Sequence, residues 1–242
     1  PAVIKESLES SSIENINTTF EEVLQNQLFP EPERRQPDKE VLRYRDAIYW
    51  GFDNLGNLPI SSRMILGIHQ KLLPDVETGY RRTQNKIVNS ETGKVLYTPP
   101  EANMIPALIS NWEKYINTEK SIHPLLKTII AHYQFEAIHP FGDGNGRAGR
   151  ILMVLTLVQD KILGLPILYI SDYINKNRPK YYELLRKVSI EQSWNEFITF
   201  MLNGFIIQAQ ETKQTFFNIM TYYNEFKEKL RTDNKKIFAI EL

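Results

Sequence analysis

Apolar side chains recur every three or four residues along most of this 242-residue sequence, which predicts a mainly helical fold. The predicted helices cover residues 5–28, 38–55, 61–73, a stretch after Pro100, 123–136, 151–163, 178–189, 193–210 and 211–231. Residues 151–163 are apolar almost all round, which is typical of a buried central helix. Residues 29–37 contain three prolines and are predicted to form a linker.

One segment departs from the helical period. Residues 86–89 and 94–98 have the composition of short strands, and Ser-Glu-Thr-Gly at 90–93 is typical of a turn that contains glycine. We therefore predict a fold that is mostly α with a single β-hairpin.

The charge balance and the cysteine content exclude several classes of protein. The 29 Lys and Arg residues equal the 29 Asp and Glu residues, so nothing favours sequence-independent binding of nucleic acid. The sequence has no cysteine, which excludes disulfides, Cys-ligated zinc and a thiol nucleophile. No apolar run approaches the roughly 18 residues of a membrane helix, and the first residues lack the pattern of a signal peptide. We expect a cytoplasmic protein with no membrane and no nucleic-acid partner.

The glycines are concentrated in one place. Four of the 11 glycines fall in a window of eight consecutive residues. This window lies inside the segment His139-Pro-Phe-Gly-Asp-Gly-Asn-Gly-Arg-Ala-Gly-Arg150. Glycines let the backbone approach a ligand and point N–H groups at it, and the start of the following helix favours an anion. Arg147 and Arg150 add guanidinium groups that match phosphate oxygens. The segment therefore predicts a loop that binds phosphate or another oxyanion.

Two well-known phosphate-binding patterns do not account for this loop. Gly144-x-Gly146-x-x-Gly149 matches the dinucleotide fingerprint, but that fingerprint follows a β-strand, whereas the residues here follow a helical period. The predicted strands are also too few for a doubly wound sheet. The P-loop pattern fails because Arg150 and Ile151 stand where it requires Lys and then Ser or Thr.

Three side chains of the loop have distinct chemical uses. His139 is a candidate general base, since an ordinary pKa of about 6.5 lets it accept a proton near neutrality. Asp143, between two glycines, is a candidate ligand for Mg²⁺. Asn145 could either hold the loop backbone or orient a nucleotide. A loop that only caps a buried helix is the alternative, and the concentration of polar residues disfavours it.

The segment resembles the signature of the Fic family, HPFxDGNGRxxR, at every defined position. This resemblance implies a helical bundle with a β-hairpin flap. It also implies a nucleotidyltransferase that moves AMP from ATP to a Ser, Thr or Tyr hydroxyl of a target protein and of the chain itself, with Mg²⁺ as cofactor. The target protein and the oligomeric state, including a homodimer, stay open.

The resemblance assigns a role to each residue of the loop. His139 would deprotonate the target hydroxyl, Phe141 would anchor the loop in the core, and Asp143 would hold Mg²⁺ against the α- and β-phosphates. The phosphate-binding residues would be Gly142, Gly144, Asn145, Gly146, Arg147 and Arg150. The two arginines among them would bind the β- and γ-phosphates.

Residues 79–87 and the hairpin are similar to the flap of the family. Lys86, Ile87 and Val88 would offer a strand edge to which a target peptide could add. The alternative is a hairpin that only shields the core.

The segment after Arg178 resembles the part of the family that lines the adenine pocket. Tyr182, Leu185 and Ser189 would contact the base. The alternative is an ordinary amphipathic helix.

Ser10-Ser-Ser-Ile-Glu14-Asn15 matches the family's inhibitory pattern, Ser/Thr-x-x-x-Glu-Gly/Asn. Ser10 and Glu14 are four residues apart, so they would share one face of the predicted helix. In relatives this glutamate pairs with the second arginine of the signature, here Arg150, and denies it to the γ-phosphate of ATP. The resemblance thus implies autoinhibition, and an ion pair of this kind is often bidentate.

We predict three regions along the chain. Residues 1–36 would form the inhibitory helix and a linker, 37–212 the Fic core, and 213–242 a C-terminal helical extension that could lead to a further domain. Two other functions stay open. One is a hydrolase that removes AMP from a modified protein, with Glu14 positioning water; the other is a permanently inhibited module that serves assembly.

Overall fold

The computed structural model describes residues 2–56, 58–88 and 95–232, and this part of the chain is mostly helical. Its helices are α1 (Ala2–Ile13), α2 (Phe20–Asn26), α3 (Gln36–Leu55), α4 (Ser62–Leu72), α5 (Ile105–Thr118), α6 (Pro124–Ile138), α7 (Asn145–Gln159), α8 (Ser171–Lys176), α9 (Arg178–Glu191) and α10 (Trp194–Thr232). Two antiparallel strands, β1 (Ile87–Val88) and β2 (Val95–Tyr97), form a hairpin. The predicted fold class, mostly α with one hairpin, is confirmed.

Helix α7 lies at the centre of the bundle, where it packs against α1, α3, α4 and α6. All its residues from Arg147 to Leu157 are buried. Helix α3 approaches it closely at Gly51, where a Cβ atom would lie only 2.6 Å from a methyl carbon of Leu155. The buried central helix is therefore confirmed, although it begins at Asn145 and not at the predicted Ile151.

The core consists of two large apolar clusters that meet at α7. One joins α3, α4, α5 and α6 to α7, and the other joins α7 to α8, α9, α10 and the last residue of α1. A third, small cluster fastens α2 to α3. Because α7 contributes to both large clusters, its N-terminus and the glycine-rich loop before it are held in a fixed place.

The helix predicted at 5–28 is wrong, since two helices, α1 and α2, occupy this stretch. Asn15 adopts a left-handed conformation with φ of 64°, which a short polar side chain tolerates and which a right-handed helix cannot contain. A capping box then starts α2. Glu14 therefore lies in a turn beyond the end of α1, and it does not share a helical face with Ser10 as predicted.

Two further helix boundaries differ from prediction. The segments predicted as separate helices at 193–210 and 211–231 form one helix, α10, because neither glycine nor proline interrupts the period between them. Helix α3 begins at Gln36 and not at Asp38, since Pro37 fits the first turn of a helix. The boundaries predicted for the three regions thus fall in the first turn of α3 and within α10.

The hairpin has the predicted strands, with Ile87 facing Tyr97 and Val88 facing Val95. The predicted turn at 90–93, with its neighbours at 89 and 94, lies outside the described residues, as does the end of the predicted extension, 233–242. In the part of the chain that the structure describes, no helix combines the length and apolar character needed to cross a membrane. The cytoplasmic location stays a prediction.

Candidate active site

The loop between α6 and α7 turns sharply at both ends. His139 ends α6 in a left-handed conformation with φ of 50° and ψ of 60°, and Gly144 starts α7 with φ of 79°. Histidine tolerates this region better than most residues, whereas glycine enters it without steric cost. The two turns hold His139 and the free N–H groups at the start of α7 within one short segment.

Two side chains hold this loop in place. Phe141 is fully buried and stacks on the ring of His69, with 3.8 Å between the ring centroids. Asn145 accepts a hydrogen bond from the Phe141 N–H at 2.8 Å and donates one to the Phe141 carbonyl at 2.9 Å. Of the two roles considered for Asn145, its side chain performs the first. What it can still offer an anion is its backbone N–H.

Arg81 connects the loop to the hairpin. Its guanidinium donates to the carbonyls of His139 at 2.9 Å, Thr83 at 2.9 Å and Pro100 at 2.5 Å. Its backbone N–H donates to the Pro140 carbonyl at 2.9 Å. One buried side chain therefore joins the residue at the end of α6 to both arms of the hairpin.

The His139 side chain is half-buried, and its surroundings favour the neutral form. Burial lowers the pKa of His139 below its ordinary value of about 6.5, and the positive charge of Arg81 acts in the same direction. The backbone carbonyl of Glu136 and the carboxylates of Glu14 and Asp143 oppose this shift. The imidazole is thus neutral near pH 7 and can accept a proton.

Asp143 is the exposed carboxylate of the loop, with 74% of its side chain accessible. One of its oxygens accepts a hydrogen bond from the Gly144 N–H at 2.6 Å, and the other lies 3.5 Å from the Arg147 guanidinium. Residues 2–56, 58–88 and 95–232 contain no cluster of three His, Asp or Glu side chains that could hold a metal alone. Mg²⁺ commonly binds one carboxylate together with phosphate oxygens and water, so Asp143 fits an ion that arrives with a nucleotide.

Arg147 is buried between α7 and α3, with 1% of its surface exposed. Its guanidinium donates to the Glu40 carboxylate of α3 at 2.7 Å. This pair supplies the opposite charge that a buried guanidinium requires. The predicted contact of Arg147 with phosphate stays a prediction.

Arg150 lies one turn further along α7, at the end of α1. Its guanidinium donates to the Ser10 hydroxyl at 2.7 Å, to the Ser10 carbonyl at 2.9 Å and to the Glu14 carboxylate at 2.8 Å. The Ser10 carbonyl belongs to the last turn of α1, where carbonyls lack a helical partner and a cation is favourable. The pairing of Glu14 with Arg150 is therefore present, but it is one hydrogen bond and not the bidentate contact expected.

The Glu14 carboxylate also lies against the N-terminus of α7. A Cβ atom on Gly146 would be 2.3 Å from a Glu14 oxygen and 2.9 Å from the Arg150 guanidinium. Only glycine leaves room for the carboxylate at this point. Glu14 thus occupies the place beside the free N–H groups and Arg150 that the sequence predicts for an anion.

Two carboxyl groups, the buried Glu6 and the half-buried Glu136, lie close enough to Arg150 for its charge to act on them. Burial raises the pKa of Glu6 to about 7 and that of Glu136 to about 7, and in both cases Arg150 limits the increase. Glu6 accepts hydrogen bonds from the Tyr44 hydroxyl at 2.9 Å and the Ser171 hydroxyl at 2.5 Å. It thereby joins α1 to α3 and α8.

The residues predicted for the adenine pocket lie along α9. Tyr182 is 40% exposed, and the charges of Glu14 and Arg150 affect its pKa, so it lies near the contact between those two residues. Leu185 packs against the core cluster of α9 and α10. The hydroxyl groups of Ser189 and Tyr133 share a hydrogen bond, with 2.9 Å between their oxygens. The structure therefore brings Tyr182 to the site, and it records no contact between Leu185 or Ser189 and the loop.

The residues predicted to dock a target are accessible. Lys86 and Val88 are exposed and Ile87 is half-buried. The hairpin that carries them is fastened to the loop by Arg81 and by Asn85, whose amide donates to the Phe141 carbonyl at 3.1 Å. Their role in binding stays a prediction.

Sequence reasoning missed three residues at this site: Arg81, Glu40 and Glu6. Arg81 stands in the segment similar to the flap, and Glu6 lies just before the inhibitory pattern, but neither was singled out. Glu40 shows no local signal, since a glutamate in an amphipathic helix is ordinary. Their contacts with His139, Arg147 and Ser171 span 58, 107 and 165 positions along the chain, so only the fold reveals these contacts.

Comparisons with known proteins found two family models that match this chain. Residues 59–157 match the model of the Fic/DOC family, and residues 1–53 match the model of its N-terminal region. A crystal structure of a Fic family protein from Desulfovibrio desulfuricans G20 superposes with a TM-score of 0.74 at 27% identity, covering 88% of this chain and 65% of that one.

Two curated proteins with similar sequences are named after an enzymatic activity. A probable protein adenylyltransferase of Aquifex aeolicus is 35% identical over 130 residues, which cover 53% of this chain and 37% of that protein. The protein adenylyltransferase Fic of Culex quinquefasciatus is 34% identical over 148 residues, which cover 59% of this chain and 27% of that protein. The chain thus spans little more than a third of the first relative and about a quarter of the second.

Proposed function

This chain belongs to the Fic/DOC family, and we propose that it is a protein adenylyltransferase that moves AMP from ATP to a hydroxyl group of a target protein and of itself. One observation carries the proposal: His139, whose pKa is lowered by burial, precedes a helix N-terminus that combines free N–H groups with the guanidinium of Arg150. Relatives named protein adenylyltransferases, 35% identical over 130 residues and 34% identical over 148 residues, support the choice of reaction.

In the proposed reaction the His139 imidazole accepts the proton of the target hydroxyl while the hydroxyl oxygen bonds to the α-phosphorus of ATP. The bond from that phosphorus to the oxygen bridging to the β-phosphate breaks, and pyrophosphate leaves with the electron pair. The N–H groups at the start of α7 stabilise the charge that develops on the phosphate oxygens. Mg²⁺, held by Asp143, would neutralise phosphate charge and stabilise the leaving pyrophosphate.

We propose that the contact between Glu14 and Arg150 makes this state of the protein self-inhibited. The Glu14 carboxylate stands where the γ-phosphate would approach, and a carboxylate and a phosphate cannot both occupy this place because their charges repel. Glu14 also uses the guanidinium of Arg150 that the γ-phosphate needs. ATP would then bind weakly, or with its α-phosphate out of line for attack.

The test measures which phosphorus of labelled ATP is incorporated into the protein. The Glu14→Gly variant is incubated with Mg²⁺ and ATP labelled at the α-phosphorus or, separately, at the γ-phosphorus. Adenylyl transfer predicts that only the α label is incorporated into the chain. Incorporation of the γ label would instead identify a kinase and overturn the proposal.

A third arm separates the remaining alternatives. Chain that carries the α label is washed free of ATP and incubated again, once with added wild-type chain, which contains Glu14, and once with added Glu14→Gly chain. Release of AMP that requires Glu14 would identify the hydrolase. Absence of both incorporation and release in folded protein would leave the binding module as the function.

A further inference from the structure

The side chain of Arg81, which lies before the hairpin, donates hydrogen bonds to three backbone carbonyls. The side chain is buried, with 7% of the residue exposed. Its guanidinium binds three carbonyls from three separate segments: Thr83 before β1, Pro100 after β2, and His139 at the end of α6. The planar guanidinium can donate in three directions at once, whereas a lysine ammonium on a flexible stem has no such fixed fork.

Two further bonds connect the hairpin to the chain around His139. The Tyr97 hydroxyl of β2 donates to the Ala137 carbonyl at 2.9 Å, and Asn85 donates to the Phe141 carbonyl at 3.1 Å. Ala137 lies in the last turn of α6, where carbonyls have no helical partner. The hairpin thus supplies a hydrogen-bond donor to a free carbonyl in the last turn of α6. It also binds the chain on both sides of His139, the candidate base.

We propose that Arg81 is a positioning residue that fixes the His139 backbone relative to the hairpin, so that the base and a peptide docked on the hairpin meet in a set geometry. The proposal deepens the proposed function, since it takes His139 as the base and the hairpin as the docking edge. Small displacements of a base cost rate steeply, and a residue that ties both parts together controls the distance between them.

The positive charge of Arg81 also affects the pKa of His139, which a residue that only supports the fold would not do. A cation near the imidazole disfavours its protonated form, so Arg81 lowers the pKa of His139, after burial as the larger cause. The other groups that act on this imidazole are the Glu136 carbonyl and the carboxylates of Glu14 and Asp143, and all of them raise its pKa. Replacing only Arg81 therefore removes a single contribution of known sign.

The first measurement is an NMR titration of the histidine side chains. The chain has only four histidines, so His139 is assigned by the loss of its signal in a His139 variant. With Arg81→Gln we expect the pKa of His139 to rise, because the positive charge that disfavours the imidazolium is removed. With Arg81→Lys, which keeps the charge, the pKa should stay close to that of the wild type.

The second measurement is hydrogen exchange of the hairpin amides. Both Arg81 variants lose the three-way fork, so the amides of β1 and β2 should exchange faster in each. Arg82→Gln is the matched control, because the neighbouring Arg82 is exposed and its ion pair among the described residues is with the exposed Glu77. It should change neither the exchange rates nor the pKa of His139. Thermal unfolding of every variant verifies that it is folded.

The third measurement is AMP transfer in the Glu14→Gly background. Arg81→Lys should lower kcat by about 10²-fold, since the base is misplaced, and leave the KM for ATP unchanged because Arg81 touches neither Arg150 nor the α7 N-terminus. If the pKa of His139 and the exchange of the hairpin in Arg81→Gln match those of Arg82→Gln, the positioning role is overturned. If both shift as expected but Glu14→Gly transfers no AMP, the proposed function fails and the positioning role stands.

Discussion

The Glu14 carboxylate lies 2.8 Å from the Arg150 guanidinium, although 136 positions separate the two residues along the chain. The same guanidinium binds the hydroxyl and the carbonyl of Ser10, so it holds the end of α1 as well as the acid beyond it. The contact proposed to inhibit the enzyme is therefore also one that fastens α1 to the central helix. Release of Glu14 alone leaves the two Ser10 contacts in place.

This separation predicts that Glu14→Gly activates the enzyme without unfolding it. Glu14 lies beyond α1, so glycine there does not incur the cost of about 1 kcal/mol that it has inside a helix. Self-labelling by ATP labelled at the α-phosphorus should increase by about tenfold or more, within the usual range of coupling between sites. The assay compares initial rates, with thermal unfolding as the measure of folding.

Glu14→Gln is the informative companion to this variant. It keeps the size of the side chain and a neutral acceptor for Arg150, but it removes the negative charge that competes with phosphate. Its rate should fall between those of the wild type and Glu14→Gly. Equal rates for all three folded proteins would refute the inhibitory role.

A second prediction concerns His139, which must combine a chemical role with a left-handed backbone. His139→Asn should reduce AMP transfer by about 10²- to 10⁴-fold, the usual contribution of a general base. Asparagine tolerates the left-handed region, so its thermal stability should stay near that of the wild type. His139→Ala should lose the same activity and also about 1 kcal/mol of stability.

Affinity for ATP separates loss of the base from loss of the site. Both His139 variants, made in the Glu14→Gly background, should bind ATP with unchanged Kd by calorimetry, because Arg150 and the start of α7 are intact. Undiminished transfer by His139→Asn would remove His139 from its role.

Much of the fold could be predicted because its signals are local. The helical period located α3, α4, α6 and α9 to within a few residues, and the composition of 86–98 identified the hairpin. The break between α1 and α2 was missed because it depends on the left-handed Asn15, and nothing in the spacing of apolar residues reports a single backbone angle. The continuity of α10 is missed as well, since the prediction divides it between Gln210 and Glu211, where neither glycine nor proline interrupts the helix.

The candidate site divides in the same way. The loop from His139 to Arg150 was predictable because its residues are consecutive, and even the bond between Asn145 and Phe141 spans only four positions. The partners that hold it, Arg81 and Glu40, come from distant elements and carry no local signal. The contact of Glu14 with Arg150 was foreseen only through the resemblance to a family, which supplies long-range information that periodicity lacks.

A third prediction concerns Asp143 and Mg²⁺. Asp143→Asn keeps an oxygen to accept the hydrogen bond of the Gly144 N–H, so the loop should keep its shape, but it loses the charge that attracts the ion. In the Glu14→Gly background, the gain in ATP affinity on adding Mg²⁺ should fall by about tenfold or more. Calorimetric titration of ATP with Mg²⁺ and with EDTA measures this gain directly. Asp46→Asn, at an exposed carboxylate of α3, is the control, and a full Mg²⁺ gain in Asp143→Asn would show that another group holds the ion.

The fourth prediction is a pH dependence of stability that originates at Glu6. Burial raises the pKa of Glu6 to about 7 in the folded protein, whereas an unfolded chain has the ordinary value near 4.5. Between these values the folded state binds more protons than the unfolded state. The contribution of Glu6 to stability is therefore complete below about pH 4.5 and is lost as the pH rises through about 7.

Glu6→Gln removes this dependence, because glutamine stays neutral and can still accept the bonds of Tyr44 and Ser171. Relative to the wild type, the variant should gain about 3 kcal/mol in its free energy of unfolding between pH 4.5 and pH 8. The difference between the two proteins must be measured, by urea unfolding at several pH values, because buried His132, with its pKa lowered to about 3, gives the wild type an opposite slope at acid pH. Glu21→Gln, at an exposed position of α2, should follow the wild type throughout. A constant difference between Glu6→Gln and the wild type from pH 4.5 to 8 would mean that Glu6 is ionised in the folded protein.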